Sequence, residues 1–110
     1  MLNSFDIDCV IFMYKYNGVY PGKDDIIITG RSKEERPETE AMLKSKGITN
    51  QVYYNSTPFD EKTRESSGRH KGQTLFYLEE LGYRFGIHYG PFIWDFTHDL
   101  DMICSQPYYL

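Results

Sequence analysis

The sequence predicts an α/β fold with a mostly parallel sheet flanked by helices. Three observations carry that prediction. Strand-like apolar runs alternate along the chain with segments of helical spacing. One run, Asp25-Ile26-Ile27-Ile28-Thr29, has an apolar, β-branched centre that suits a strand covered on both faces. The chain also opens on Phe5-Asp6-Ile7-Asp8-Cys9-Val10-Ile11, where two aspartates stand two residues apart among apolar neighbours. Side chains at i and i+2 of a strand share a face, and two anions there repel. A buried charge is costly unless it is paired, protonated or bound to a cation. Either the strand ends at Asp6 with the acids at its carboxyl end, or the pair holds a metal. Both readings point to a site.

Taken in order, residues 2–12 read as a first strand. Residues 13–25 contain Asn17-Gly18 and Pro21-Gly22, turn signals flanked by Tyr14, Tyr16, Val19 and Tyr20, which predict a short hairpin standing off the domain. Residues 25–29 form a second strand that Gly30-Arg31-Ser32 ends. Pro37, Glu38 and Glu40 suit the first turn of a helix, Thr39, Met42, Leu43 and Lys46 recur at helical spacing, and Gly47 closes it. Residues 51–55 read as a third strand. Residues 56–69 are polar and long for a loop in a compact domain, which marks them as functional. Leu75, Leu78 and Leu81 predict a helix over 71–81, residues 83–89 a fourth strand, and Phe92, Phe96, Leu100 and Ile103 a last helix over 92–103. The tail, 104–110, carries no pattern.

The bulk numbers narrow the class. A chain of 110 residues makes one domain, 1–110. Hydrophobic residues are 40% and charged residues 25%, as in ordinary globular proteins. The 10 Tyr and 7 Phe can fill a small core. A net charge of −4 argues against an extended nucleic-acid groove but leaves room for a small phosphorylated substrate at a local positive patch. No apolar run reaches membrane-spanning length, and the N-terminus lacks a basic stretch followed by a long apolar one, so a cytoplasmic location without a membrane partner is the expectation. Cys9 and Cys104 are too few and too far apart for a disulfide framework and read as reduced thiols. The oligomeric state is not encoded in any pattern visible here.

Three segments in order match one family. Phe5-Asp6-Ile7-Asp8, followed by Cys9-Val10-Ile11, resembles the first motif of the haloacid dehalogenase (HAD) superfamily of phosphotransferases, whose usual form is Asp-x-Asp-Gly-(Thr/Val). Ile26-Ile27-Ile28-Thr29-Gly30-Arg31 resembles its second motif, in the version found in the phosphatase domains of polynucleotide kinases and their small phage or bacterial relatives. Lys71 ahead of a helix resembles the third. Together they cover roughly residues 2–90. The resemblance implies a three-layer, Rossmann-like sheet with a small hairpin flap after the first strand, and a phosphomonoester as substrate, on a nucleotide or a nucleic-acid end.

It also implies roles. Asp6 would be the nucleophile that forms an acyl-phosphate, splitting one hard displacement into two easier ones. Asp8 would protonate the leaving oxygen and then activate water, which requires the two acids to sit in different environments. A magnesium ion, Mg2+, would rest on Asp6 and the Asp8 carbonyl, with Asp95 the candidate third ligand. The Thr29 hydroxyl and the Gly30 amide would hydrogen-bond the phosphoryl oxygens, Lys71 would shield the anionic intermediate, and Arg31 would reach phosphate or substrate.

The chain departs from the family pattern in places. Cys9 stands where the family has Gly. After the fourth strand the family places one or two acids, whereas Ile87-His88-Tyr89-Gly90-Pro91-Phe92 has none, and the nearest are Asp95, Asp99 and Asp101. His88 is a poor magnesium ligand. The hairpin takes the place of a cap domain, which leaves the site open to a large substrate end. Two functions therefore compete: a magnesium-dependent phosphatase, and a degenerate member that keeps the fold as a binding or assembly protein.

Overall fold

Six strands form one sheet in the order β5-β4-β1-β6-β7-β8. They are β1 (Leu2–Phe5), β4 (Ile26–Ser32), β5 (Val52–Asn55), β6 (Phe85–Tyr89), β7 (Phe92–Asp95) and β8 (Leu100–Met102). The computed structural model describes residues 2–8, 10–13, 16–90, 92–95 and 100–102; at 13, 16, 17, 64, 92–95 and 100–102 it describes the backbone alone. Strands β5, β4, β1 and β6 are all parallel, and β7 and β8 extend the sheet antiparallel. The chain leaves β1 towards β4 and β5 on one side, then crosses back to β6 on the other. The carboxyl end of β1 is thus the point where the strand order reverses.

The isoleucine run explains the layers. Ile27 and Ile28 are both fully buried, and successive strand residues face opposite ways. Ile27 packs with Phe5, Ile7, Val10, Ile11, Ile48 and Leu43 of α1 (Arg36–Ser45). Ile28 packs with Phe85 and with Leu75 and Leu78 of α2 (Arg64–Glu80). Helices therefore cover both faces, and each buried isoleucine contributes roughly 1.5–3 kcal/mol. The result is an α/β fold compatible with a Rossmann-like arrangement.

The second strand runs further than its sequence suggests, through Gly30 and Arg31 to Ser32. Its register with β5 shifts between Ile28 and Ser32, so the Thr29-Gly30-Arg31 segment is an irregular strand end rather than a turn. A short 3-10 turn (Lys33–Glu35) follows, in which the Glu35 carboxylate accepts from the Ser32 amide at 2.8 Å. Pro37 stands in the first turn of α1, and Gly47, at φ 74°, closes the helix as expected.

Two expectations fail. The long loop is shorter than its composition implies, because α2 begins at Arg64 rather than at Lys71. Thr63 caps it: its hydroxyl accepts from the Ser66 amide at 3.0 Å, and the Ser66 hydroxyl accepts from the Thr63 amide at 2.9 Å. The predicted last helix is replaced by strands β7 and β8. Phe92-Ile93-Trp94 is aromatic and β-branched, which suits a pleated strand, and this preference outweighs an apolar spacing that only approximates a helix.

Between β1 and β4, β2 (Phe12–Met13) pairs antiparallel with β3 (Tyr16–Asn17). Asn17 is itself part of this ladder, opposite Phe12, so the ladder does not close around Asn17-Gly18. Gly18 is instead where the chain returns against itself: a Cβ there would collide with the carbonyl oxygens of Ile11 and Val10. Cys9, Cys104 and the tail 104–110 lie outside the described residues. Among the described residues, no helix is long and apolar enough to cross a membrane.

Candidate active site

Strand β1 ends at Phe5, so the acids sit beyond its carboxyl end, the first of the two alternatives its sequence allowed. Asp6 extends the ladder by one bond, its amide donating to the Tyr89 carbonyl at 2.7 Å. Its side chain is 5% exposed. One carboxylate oxygen accepts from the Ile7 amide at 2.8 Å, and the other accepts from the Lys71 ammonium. Burial pushes Asp6 above the usual carboxylate range; Lys71 and the Ile7 amide pull it down without cancelling that cost.

Lys71 reaches Asp6 from inside α2, seven residues after Arg64. It is therefore not a cation at the positive end of a helix, which removes the oddity of its charge in the sequence. α2 lies against β4, and at Gly30 the approach is tight: a Cβ would stand 2.8 Å from the Ser67 Cβ and Oγ. Gly30 thus lets the helix settle where its lysine meets Asp6.

Asp8 has a different environment. The two acids do not share a buried face: Asp8 is 61% exposed and is held by Arg31. The Arg31 Nε and Nη2 donate to the two Asp8 oxygens at 3.1 and 2.7 Å, and Nη1 donates to Thr39 Oγ1 at 3.2 Å. The guanidinium carbon lies 5.9 Å from the Phe12 ring centroid, which ties the β2–β3 ladder to this cluster. Thr29 is fully buried, and its Oγ1 accepts from the Arg31 amide at 3.1 Å, which leaves its own hydroxyl hydrogen to donate. The structure thus brings Asp6 to Lys71 and Asp8 to Arg31; Thr29 and Gly30 precede Arg31 on β4.

Asp95 is the residue the backbone does not bring to this edge. It pairs with Ile87 as β7 runs back along β6, two positions before Tyr89, the residue whose carbonyl receives the Asp6 amide. Sequence reasoning weighed His88 only as a poor metal ligand and passed over Ser4. The register with β1 slips near Gly86, two steps in β1 matching three in β6, and this turns His88 to the α2 face with Ser4. The His88 Nδ1 and the Ser4 hydroxyl are 2.7 Å apart. Burial, then the Lys71 charge, lowers His88 to about 4. The two-residue period that separates Ser4 from Asp6 was the one available signal for Ser4; the bulge that places His88 had none.

The carboxylates of Asp6 and Asp8 are oxygen donors of the kind magnesium takes, and each is engaged by a cationic side chain. Among the described residues no group of three or more His, Cys, Asp or Glu side chains is gathered to hold a metal. Magnesium often uses one or two carboxylates, water and substrate phosphate. Asp6 supplies a buried hard oxygen whose charge Lys71 alone does not offset. Of the hollows on the surface, one of about 410 Å3 opens at the other edge of the sheet, among Ile26, Gln51, Tyr53 and Phe85, away from these groups. Comparison with protein-family models, curated proteins and solved structures returns no significant match.

Proposed function

We propose that this chain is a small, capless phosphomonoester hydrolase of the HAD type, working through an aspartyl-phosphate on Asp6 with magnesium. The observation that supports it is the buried Asp6–Lys71 pair at the carboxyl end of β1. In open α/β sheets, ligands bind outside the strands' carboxyl ends where the strand order reverses. A buried acid held against a lysine there is a costly arrangement for structure alone.

In the proposed reaction, an Asp6 carboxylate oxygen attacks phosphorus. The ester P–O bond breaks, and the leaving oxygen takes a proton from Asp8. Asp8 then takes a proton from water as the water oxygen attacks the same phosphorus, and the Asp6–phosphorus bond breaks to release inorganic phosphate. Lys71 offsets the charge on Asp6 and on the transferring group. The Thr29 hydroxyl and the Gly30 amide donate to phosphoryl oxygens. Arg31 releases one Asp8 oxygen for the proton transfers, or turns to the phosphate. Asp6 and the Asp8 carbonyl would hold magnesium, which would supply the additional positive charge that an ionised Asp6 requires.

The competing reading is a binding or assembly protein that keeps the fold without turnover. It draws on the commitment of both acids to cationic side chains and on the missing acid after β6. A phosphatase assay with magnesium, on wild type and Asp6→Asn, separates the two. The enzyme reading expects magnesium-dependent release of phosphate by wild type and none by the variant; equal background rates favour the binding protein.

A further inference from the structure

Thr39 is a polar residue on the buried face of α1, with Leu43 one turn on. A threonine within a helix commonly turns its hydroxyl to the carbonyl one turn back. Thr74 does so in α2, donating to the His70 carbonyl at 2.8 Å. Among the described residues Thr39 makes no such bond, and the partner of its hydroxyl oxygen is the Arg31 Nη1 at 3.2 Å. A buried hydroxyl costs free energy unless it is hydrogen-bonded, and valine has the same shape without that cost. Packing alone therefore gives no reason for a hydroxyl at 39, whereas the bond to Arg31 does.

That bond completes a clamp on the guanidinium. Nε and Nη2 lie on the two Asp8 oxygens, Nη1 lies on Thr39, and the group stands 5.9 Å from the Phe12 ring centroid. Its three nitrogens are thus engaged by residues of two separate segments, and a ring of β2 stands beside it. The Arg31 side chain is 17% exposed, against 61% for Asp8. Arg31 has two courses in the proposed reaction. Turning to the phosphate would break the contacts with both Asp8 and Thr39. Freeing one Asp8 oxygen breaks a single hydrogen bond and leaves Nη1 on Thr39.

We propose that Thr39 is a positioning residue that keeps Arg31 on Asp8, so that Arg31 orients the proton carrier and does not bind the phosphate. One Asp8 oxygen stays on Arg31 while the other gives up and then recovers the proton. Neither Thr39 nor Arg31 gains or loses an atom. The proposal rests on the phosphomonoester reading of the site, and the test separates the two.

Thr39→Val and Thr39→Ser are compared with wild type in two measurements. The first is hydrolysis of phenyl phosphate and of para-nitrophenyl phosphate with magnesium. Phenolate is the poorer leaving group and depends more on a proton from Asp8. Thr39→Val is expected to lower kcat/KM about tenfold for phenyl phosphate and less for the nitrophenyl ester, with inhibition by inorganic phosphate unchanged. Thr39→Ser should behave as wild type. The second is hydrogen exchange at the Arg31 Nε by NMR, its signal assigned by its absence in Arg31→Lys. Exchange should be about tenfold faster in Thr39→Val than in wild type or Thr39→Ser. Thr39→Ala removes the same hydroxyl and should match Thr39→Val in both measurements. Equal losses on the two esters, weaker inhibition by phosphate, the same losses in Thr39→Ser, or unchanged Nε exchange in Thr39→Val would overturn the proposal. The expected exchange pattern without hydrolysis by wild type would support the clamp and sink the hydrolase reading. Hydrolysis by wild type with no effect of Thr39→Val would do the reverse.

Discussion

At Asp6, burial and pairing act in opposite directions, and that makes the residue a sensitive probe. Removing one partner of a buried ion pair leaves the other charge uncompensated, at a cost of about 3–5 kcal/mol. Lys71→Met is therefore expected to destabilise the protein by roughly 3 kcal/mol near neutral pH. The loss depends on pH in a definite sense. Without Lys71 the folded-state pKa of Asp6 rises still further above its ordinary value of 3.8, so the folded state holds a proton that the unfolded chain releases. Stability then falls as pH rises from that ordinary value. Urea unfolding should show the variant's deficit growing from pH 4 towards pH 7, and the double change Lys71→Met, Asp6→Asn should recover most of it. A deficit independent of pH would mean that Lys71 matters for packing and not for the Asp6 charge. His88 works the other way. Its pKa falls from 6.5 to about 4 in the folded protein, through burial first and then Lys71. Between those values the unfolded chain binds the extra proton, so stability is full above pH 6.5 and is lost as pH drops towards 4, by up to about 3 kcal/mol. Wild type should lose more stability between pH 6.5 and pH 4.5 than His88→Asn does; equal losses would show that His88 does not titrate in this window.

The elements decide whether these residues meet. α2 is the clearest case, because its early start at Arg64, capped by Thr63, carries Lys71 to Asp6 along a helix packed on β4. Thr63→Ala removes the hydroxyl that satisfies the Ser66 amide and should cost about 1 kcal/mol, with faster amide exchange confined to the first turn of α2. An unchanged exchange rate there would mean that the cap contributes nothing. This start was legible in principle, since Thr63 and Ser66 have the spacing of reciprocal capping, but the polar run Ser66-Ser67-Gly68 reads as loop. The isoleucine strand, α1 with its closing Gly47, and the strand ending at Asn55 were plain from apolar runs and caps, because those signals are local. The β7–β8 pair was not, because aromatic residues at near-helical spacing fit either element and only pairing with β6 selects one. The bulge that turns His88 towards Ser4 depends on register, which no single segment contains.

Across the whole molecule, one crossing of the chain sets the site. The reversal of strand order at β1 places Asp6 where strands β4 and β6 both abut it and where α2 closes from one side. The order of three motifs grouped Asp6, Thr29 and Lys71 in the sequence, and of these the structure joins Asp6 to Lys71. The sequence could not foretell that Asp8 would lie exposed on Arg31, since that follows from β1 ending a residue before the first acid. The fold therefore separates two acids that stand two positions apart into a buried one paired with lysine and an open one paired with arginine. The covalent intermediate itself is the measurement that decides. Wild type is incubated with a phosphomonoester and magnesium, quenched in acid, reduced with borohydride and digested, and the peptides are read by mass spectrometry. Conversion of Asp6, and of no other acid, to the reduced homoserine product is the predicted result; phosphate release without modification of Asp6 would contradict it.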